Sequence, residues 1–224
     1  MTALVIIAKE CLPGKVKTRL HPDVTFEQAA ELAAAALADT LATGLELDAT
    51  RRILLFDGTT PPAGAERYEV VRQVSGDLDE RLAAVFDSLD EPTELVGMDT
   101  PQLRRGDLET VFPWDDDADF VFGPACDGGF WALGMRAPRG DLVRGVPMSQ
   151  RITGRAQLIR LNRAGGTIRM LRPLTDIDTI VEAREVAARA PETAFARTLA
   201  DIESPELEPA DLVYGDFHFI GAGW

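Results

Sequence analysis

The segment Ala3 to Ala8, ALVIIA, is a continuous apolar run rich in branched residues and ended abruptly by Lys9-Glu10. A run with no polar face fits a strand covered on both sides, as in a parallel sheet flanked by helices. An amphipathic helix comes next in the chain. Thr25 stands three residues before Gln28, the spacing of a capping box. Phe26, Ala29, Ala30, Ala33, Leu37, Thr40 and Leu41 then recur at helical intervals. Further strands are expected at Arg52 to Phe56, Tyr68 to Val71, Thr93 to Val96, Asp119 to Phe122, Phe130 to Leu133 and Thr167 to Leu171. Helices are expected along the Leu78, Leu82, Val85, Phe86, Leu89 stripe, over Arg155 to Arg163, and over Ile180 to Ala190. Strands alternating with helices imply an α/β fold with a mixed, mostly parallel sheet and helices on both faces.

No internal repeat or low-complexity linker divides the chain, so one domain is expected over residues 1–200. Residues 201–224 form a tail with six acidic and no Lys or Arg side chains, followed by Tyr214, Phe217, Phe219 and Trp224. Such a tail either packs on its own domain or meets another copy of the chain.

In an open α/β sheet, ligands bind beyond the carboxyl ends of the strands. The loop after the first strand carries Lys9, Lys15, Lys17 and Arg19. Pro13-Gly14 supplies a turn whose glycine permits close backbone approach, and free N–H groups there can cradle an anion. Arg19 offers a planar fork to phosphate, while the lysines act as point charges. Neither the phosphate-binding GxxxxGK[ST] loop nor GxGxxG is present.

Three acidic positions fall at expected strand ends. Asp99 precedes Thr100-Pro101; Asp127 precedes Gly128-Gly129; Asp176 and Asp178 alternate around Ile177. In extended backbone the last two share a face. Asp99 with either of them would suffice for Mg²⁺, which takes one or two carboxylates plus substrate phosphates. Asp178 could instead serve as a helix N-cap. Asp77 and Asp79 read as caps or first-turn acids, and Asp115 to Asp117 as a solvated loop. Cys11 is either packing filler or a thiol activated by its basic loop. Trp131 is a core or pocket-wall residue, or a surface for a nucleobase. His21 and His218 stand in no nucleophile motif.

The balance of 37 acidic against 23 basic residues, a formal charge of -14, argues against nucleic acid or an anionic membrane as partner. Two cysteines give no disulfide framework. No apolar run approaches the ~18 residues of a membrane span, and no basic segment precedes the N-terminal apolar run as in a signal peptide. A cytoplasmic protein is the expectation.

Taken together, PGKVKTRL at Pro13 to Leu20, QVSGDLDERL at Gln73 to Leu82, GMDTP at Gly97 to Pro101, GPACDGGFWALG at Gly123 to Gly134 and DIDT at Asp176 to Thr179 resemble the GT-A-like superfamily of nucleotidyltransferases and nucleotide-sugar glycosyltransferases. Within it the chain most resembles the radical-SAM/selenodomain-associated transferase type 1 family, which is similar in turn to 2-phospholactate guanylyltransferase. The resemblance implies a Rossmann-like GT-A fold and a divalent metal, Mg²⁺ or Mn²⁺, on Asp99 and Asp178. It implies nucleotide binding by Lys9, Gly14, Lys15, Lys17, Arg19, Gly128 and Gly129, with Asp99, Asp127 and Lys17 as catalytic candidates. The implied substrates are a nucleotide sugar, or an NTP with pyrophosphate leaving, and an acceptor. A member that binds a nucleotide or partner without turnover is the remaining alternative. The chain departs from the family at Asp79, where Gly is usual, at Thr100, where Cys is common, and at Pro147-Met148-Ser149, where Trp-Ser-Thr is frequent.

Overall fold

The computed structural model describes residues 2–114 and 117–204. The expectations for Asp115, Asp116 and the tail beyond Ser204 lie outside the described residues.

Seven strands form one sheet: β1 (Ala3–Lys9), β2 (Arg51–Asp57), β3 (Glu69–Arg72), β4 (Thr93–Gly97), β5 (Phe120–Pro124), β6 (Phe130–Met135) and β7 (Ile168–Met170). Their order is β3-β2-β1-β4-β6-β5-β7. Only β6 runs against its neighbours, pairing antiparallel with β4 and β5. The other pairings are parallel. The carboxyl ends of β1 to β5 and β7 therefore lie along one edge, together with the start of β6.

Helix α1 (Phe26–Glu46) begins where expected, with the reciprocal Thr25–Gln28 capping box formed. One side of it, through Ala33, Leu37 and Leu41, packs with Leu4, Ile6 and Val96 of the sheet. Its other side, through Ala29, Leu32 and Ala36, packs on α5 (Ile180–Arg189) and α6 (Ala194–Glu203). A helix covered on two sides needs small residues to let its neighbours close, which accounts for the run of alanines. The opposite sheet face is covered by α2 (Leu78–Asp87) through Leu82, Val85 and Phe86, and by α4 (Thr153–Ala164) through Leu161. A short α3 (Arg105–Leu108) follows β4. Helix α6 is an addition to the sequence expectation. Its signal is Thr193 at the N-cap ahead of Phe195, Leu199 and Ile202, spaced four and three residues apart.

One charged residue is fully buried in the sheet. Glu94 on β4 is 0% exposed, and neither carboxyl oxygen has a hydrogen-bond partner. Its carboxyl lies over Gly134 on β6, where a Cβ would come within 2.0 Å of Oε2. Burial pushes its pKa well above the ordinary value of 4.5, so the folded state keeps the proton after the unfolded chain has lost it. The contribution of Glu94 to stability is then greatest below pH about 4.5 and declines as pH rises toward its folded-state pKa. Glu94→Leu is expected to raise stability at neutral pH by about 1–3 kcal/mol, the cost of an unpartnered buried polar group. It should also flatten that decline, both read from urea unfolding at several pH values.

Candidate functional site

A cavity of about 550 Å³ opens at the carboxyl edge of the sheet. Lys9, Lys15, Lys17, Arg19, Asp99, Asp127, Gly129, Asp176 and Asp178 all line it. Gly14 and Gly128 are not among its lining residues. Gly14, at φ +71°, has open space around it and serves the turn in which the Lys15 amide donates to the Leu12 carbonyl at 3.0 Å. Gly128, at φ +95°, is a packing glycine: a Cβ there would come within 2.2 Å of the Arg151 carbonyl oxygen. Its own carbonyl accepts from the Gly154 amide, docking the loop against the start of α4.

The loop after β1 folds back over the cavity because Leu20 is fully buried and anchors a short 3-10 turn at Thr18–Leu20. Just before it, Lys17 adopts a left-handed backbone, φ +48°, uncommon for a residue with a side chain. Its side chain is nine-tenths buried, with Nζ 3.0 Å from Asp99 Oδ1. Arg19 Nη1 lies 2.7 Å from Asp178 Oδ2. The two acids are tied through the backbone, since the amide of the buried Ile177 donates to the Asp99 carbonyl at 3.3 Å. Asp178 does not cap α5; Thr179 does, accepting from the Val181 amide. That leaves the Asp178 carboxylate to the cavity, with Asp176 one alternation away on the same face.

Asp176 is the most perturbed carboxyl of this group. Burial first, then the negative charges of Asp127 and Asp99, push its pKa to about 7, while Lys17 pulls the other way. Asp127 is held by its own loop, Oδ1 accepting from the Gly129 amide at 2.7 Å. Cys11 is no activated thiol: desolvation and the nearby Asp99 carboxylate raise it to about 11. Trp131 is at once core and pocket wall, 2% exposed, with Nε1 donating to the Arg172 carbonyl.

Sequence reasoning gave no site role to the segment after β3, yet it forms another side of the cavity through Gln73, Asp77 and Arg81. Gln73 Nε2 donates to the carbonyls of Ala8 and Leu55, bridging the ends of β1 and β2. Arg81 donates to Asp57 Oδ2 and Gln73 Oε1. The usable signal was the polar pair Gln73 and Arg81 flanking Gly76 between a strand and a helix. Asp77 occupies the N-cap position of α2 without a side-chain capping bond, and Asp79 accepts instead from the Gly145 amide.

Among the described residues, no three His, Cys, Asp or Glu side chains close into a metal cage. Asp99 and Asp178 nevertheless suit a hard cation that keeps water and takes phosphate oxygens as its other ligands. Both already face positive charge and remain partly open, at 45% and 37% side-chain exposure. The donor set fits Mg²⁺ or Mn²⁺ bound together with a phosphorylated ligand.

The profile of the family described as an uncharacterized protein conserved in bacteria (DUF2064) matches residues 29–150. No curated protein matches the chain. Among solved structures, a protein of Desulfovibrio desulfuricans G20 named as a "putative nucleotide-diphospho-sugar transferase" is 21% identical, with a TM-score of 0.80 over 90% of this chain and 95% of that one. The Rv0371C protein of Mycobacterium tuberculosis H37Rv, solved as a complex with manganese, is 19% identical, with a TM-score of 0.50 over 83% and 96% of the two chains. The nucleotidyl transferase Mth528 from Methanothermobacter is 14% identical, with a TM-score of 0.50 over 88% and 99%. The likeness to these proteins is one of fold, a mixed and mostly parallel α/β sheet flanked by helices.

The electrostatics around Asp176 can be measured directly. Carbon-detected NMR should place its side-chain titration near 7. Lys17→Met should move the midpoint up, and Asp127→Asn should move it down. A midpoint in the ordinary carboxylate range would mean that Asp176 is hydrated rather than buried among these charges.

Proposed function

The chain belongs to the DUF2064 family, and from that footing we propose that it is a metal-dependent transferase acting on a nucleotide sugar. The observation that carries the reading is the pairing of Asp99 with Lys17 and of Asp178 with Arg19, two carboxylates, one after β4 and one just ahead of α5, facing two cations of one loop in one cavity. A diphosphate entering there can take over the cations while a divalent metal bound by Asp99 and Asp178 supplies further neutralising charge. Lys17 and Arg19 then hold the phosphate oxygens on which negative charge grows as the sugar–phosphate bond breaks. The acceptor hydroxyl forms the new bond to the sugar carbon, and Asp127, held by the Gly129 amide, receives its proton. Mg²⁺ and Mn²⁺ are the cations this donor set suits, and the manganese complex of Rv0371C supports that choice. The name borne by the Desulfovibrio protein supports a sugar nucleotide, and the motifs from Pro13 to Thr179 support a place in the radical-SAM/selenodomain-associated subgroup.

A second reading, nucleotidyl transfer with pyrophosphate leaving, is favoured by the charge density of the loop. Lys9, Lys15, Lys17 and Arg19 all line the cavity, and a triphosphate would use more of them than a diphosphate. Incubation with a panel of nucleotide sugars and NTPs, with and without Mn²⁺, separates the two. Nucleoside diphosphate release marks sugar transfer, pyrophosphate release marks nucleotidyl transfer, and release of neither leaves only binding. Asp99→Ala should abolish the metal-dependent thermal stabilisation by nucleotide. Lys17→Met should lower turnover by about 100-fold or more, the usual cost of removing one charge-stabilising donor.

A further inference from the structure

A second cavity, of about 330 Å³, lies behind the segment between β7 and α5 that carries Asp176. Thr175 lines it, whereas the next residue lines the first cavity, as successive residues of an extended chain point to opposite sides. Gln102, 6% exposed, separates the two by donating from Nε2 to the Thr175 carbonyl at 2.7 Å.

The lining of this second cavity reverses the charge of the molecule. It holds three guanidinium groups, from Arg104, Arg172 and Arg189, against one carboxylate, Asp107, in a chain with 37 acidic and 23 basic residues. The three come from separate segments: the N-cap position of α3, the stretch after β7 and the last residue of α5. Arg172 is fixed, donating through Nε and Nη2 to both oxygens of Asp107, whose side chain is only 9% exposed. Arg104 and Arg189 are held next to each other, since Arg104 Nη2 donates to the Arg189 carbonyl. Their ion pairs, Arg104 with Glu192 and Arg189 with Glu185, sit in water, with all four side chains at least 44% exposed. Exposed pairs of that kind contribute little and exchange readily. Arginine forks match oxyanions in geometry as well as charge.

We propose that this cavity is a second oxyanion site, binding a small, multiply charged anion of the phosphate class through Arg104 and Arg189 beside the fixed Arg172. It is independent of the reading given to the first cavity. Inorganic phosphate is the probe, titrated into the full chain in EDTA and followed by calorimetry and by the arginine Nε–H signals in NMR. Phosphate binding should persist in Lys17→Met/Arg19→Gln, which disables the first cavity, and should weaken by about tenfold or more in Arg104→Gln/Arg189→Gln, which removes two charge-assisted donors. Arg104→Lys/Arg189→Lys keeps the charge without the forks and should fall between wild type and the glutamine variant. That variant also serves if the glutamine variant fails to fold by circular dichroism. Unchanged phosphate binding in either arginine variant, or loss of all binding in Lys17→Met/Arg19→Gln, overturns the proposal. Binding of citrate but not phosphate overturns the ligand class.

Discussion

Five carboxylates, Asp77, Asp99, Asp127, Asp176 and Asp178, line one cavity, and like charges so placed repel unless positive charge is brought to them. The loop after β1 supplies it. Lys17 and Arg19 reach the two partly open acids, Asp99 and Asp178, while Asp176, the most enclosed, answers instead by holding its proton to about pH 7. The left-handed backbone at Lys17 and the buried Leu20 are the local means of turning that loop inward. An arrangement balanced by the cations of one loop is also one that a phosphate-bearing ligand can enter, by offering its own negative charge to the same lysine and arginine.

The fold sets the stage for this balance through strand direction. Because β1 to β5 and β7 share one direction and only β6 is reversed, residues far apart in the chain finish at one edge. The Ile177 amide bound to the Asp99 carbonyl then sets the register of the Asp176 to Asp178 segment against β4. Helix α1, covered by the sheet on one side and by α5 and α6 on the other, keeps that side of the molecule closed. Glu94 is the exception, a buried acid in the sheet with no hydrogen-bond partner, whose pKa burial raises.

Much of the architecture was legible in order and kind. The two-sided apolar run at Ala3, the capping box at Thr25 and the strand-ending acids at Asp99 and Asp127 carry strong local signals, because burial on both faces, a free helix end and a break in apolarity each select residue types directly. Helix α6 was overlooked although Phe195, Leu199 and Ile202 mark it. The roles of Gln73 and Arg81 were only weakly marked, since a Gln in a loop and an Arg on a helix read as solvated until the carbonyls of Ala8 and Leu55 are seen beside Gln73, and Asp57 beside Arg81. Gly128 carries a role invisible in the sequence: a glycine beside an acid suggests ligand approach, and its lack of a side chain also makes room for the Arg151 carbonyl.

By itself, the sequence determined the alternation of strands and helices, the concentration of cations in one loop and the acids at strand ends, all properties of neighbouring residues. Only the tertiary structure decided which acid meets which cation and that Thr179 rather than Asp178 caps α5. It alone showed that Cys11 is held as a thiol, and that Arg104, Arg172 and Arg189 line a second cavity. The physical reason is that electrostatic and desolvation energies depend on distance and burial through space, and neither is fixed by separation along the chain.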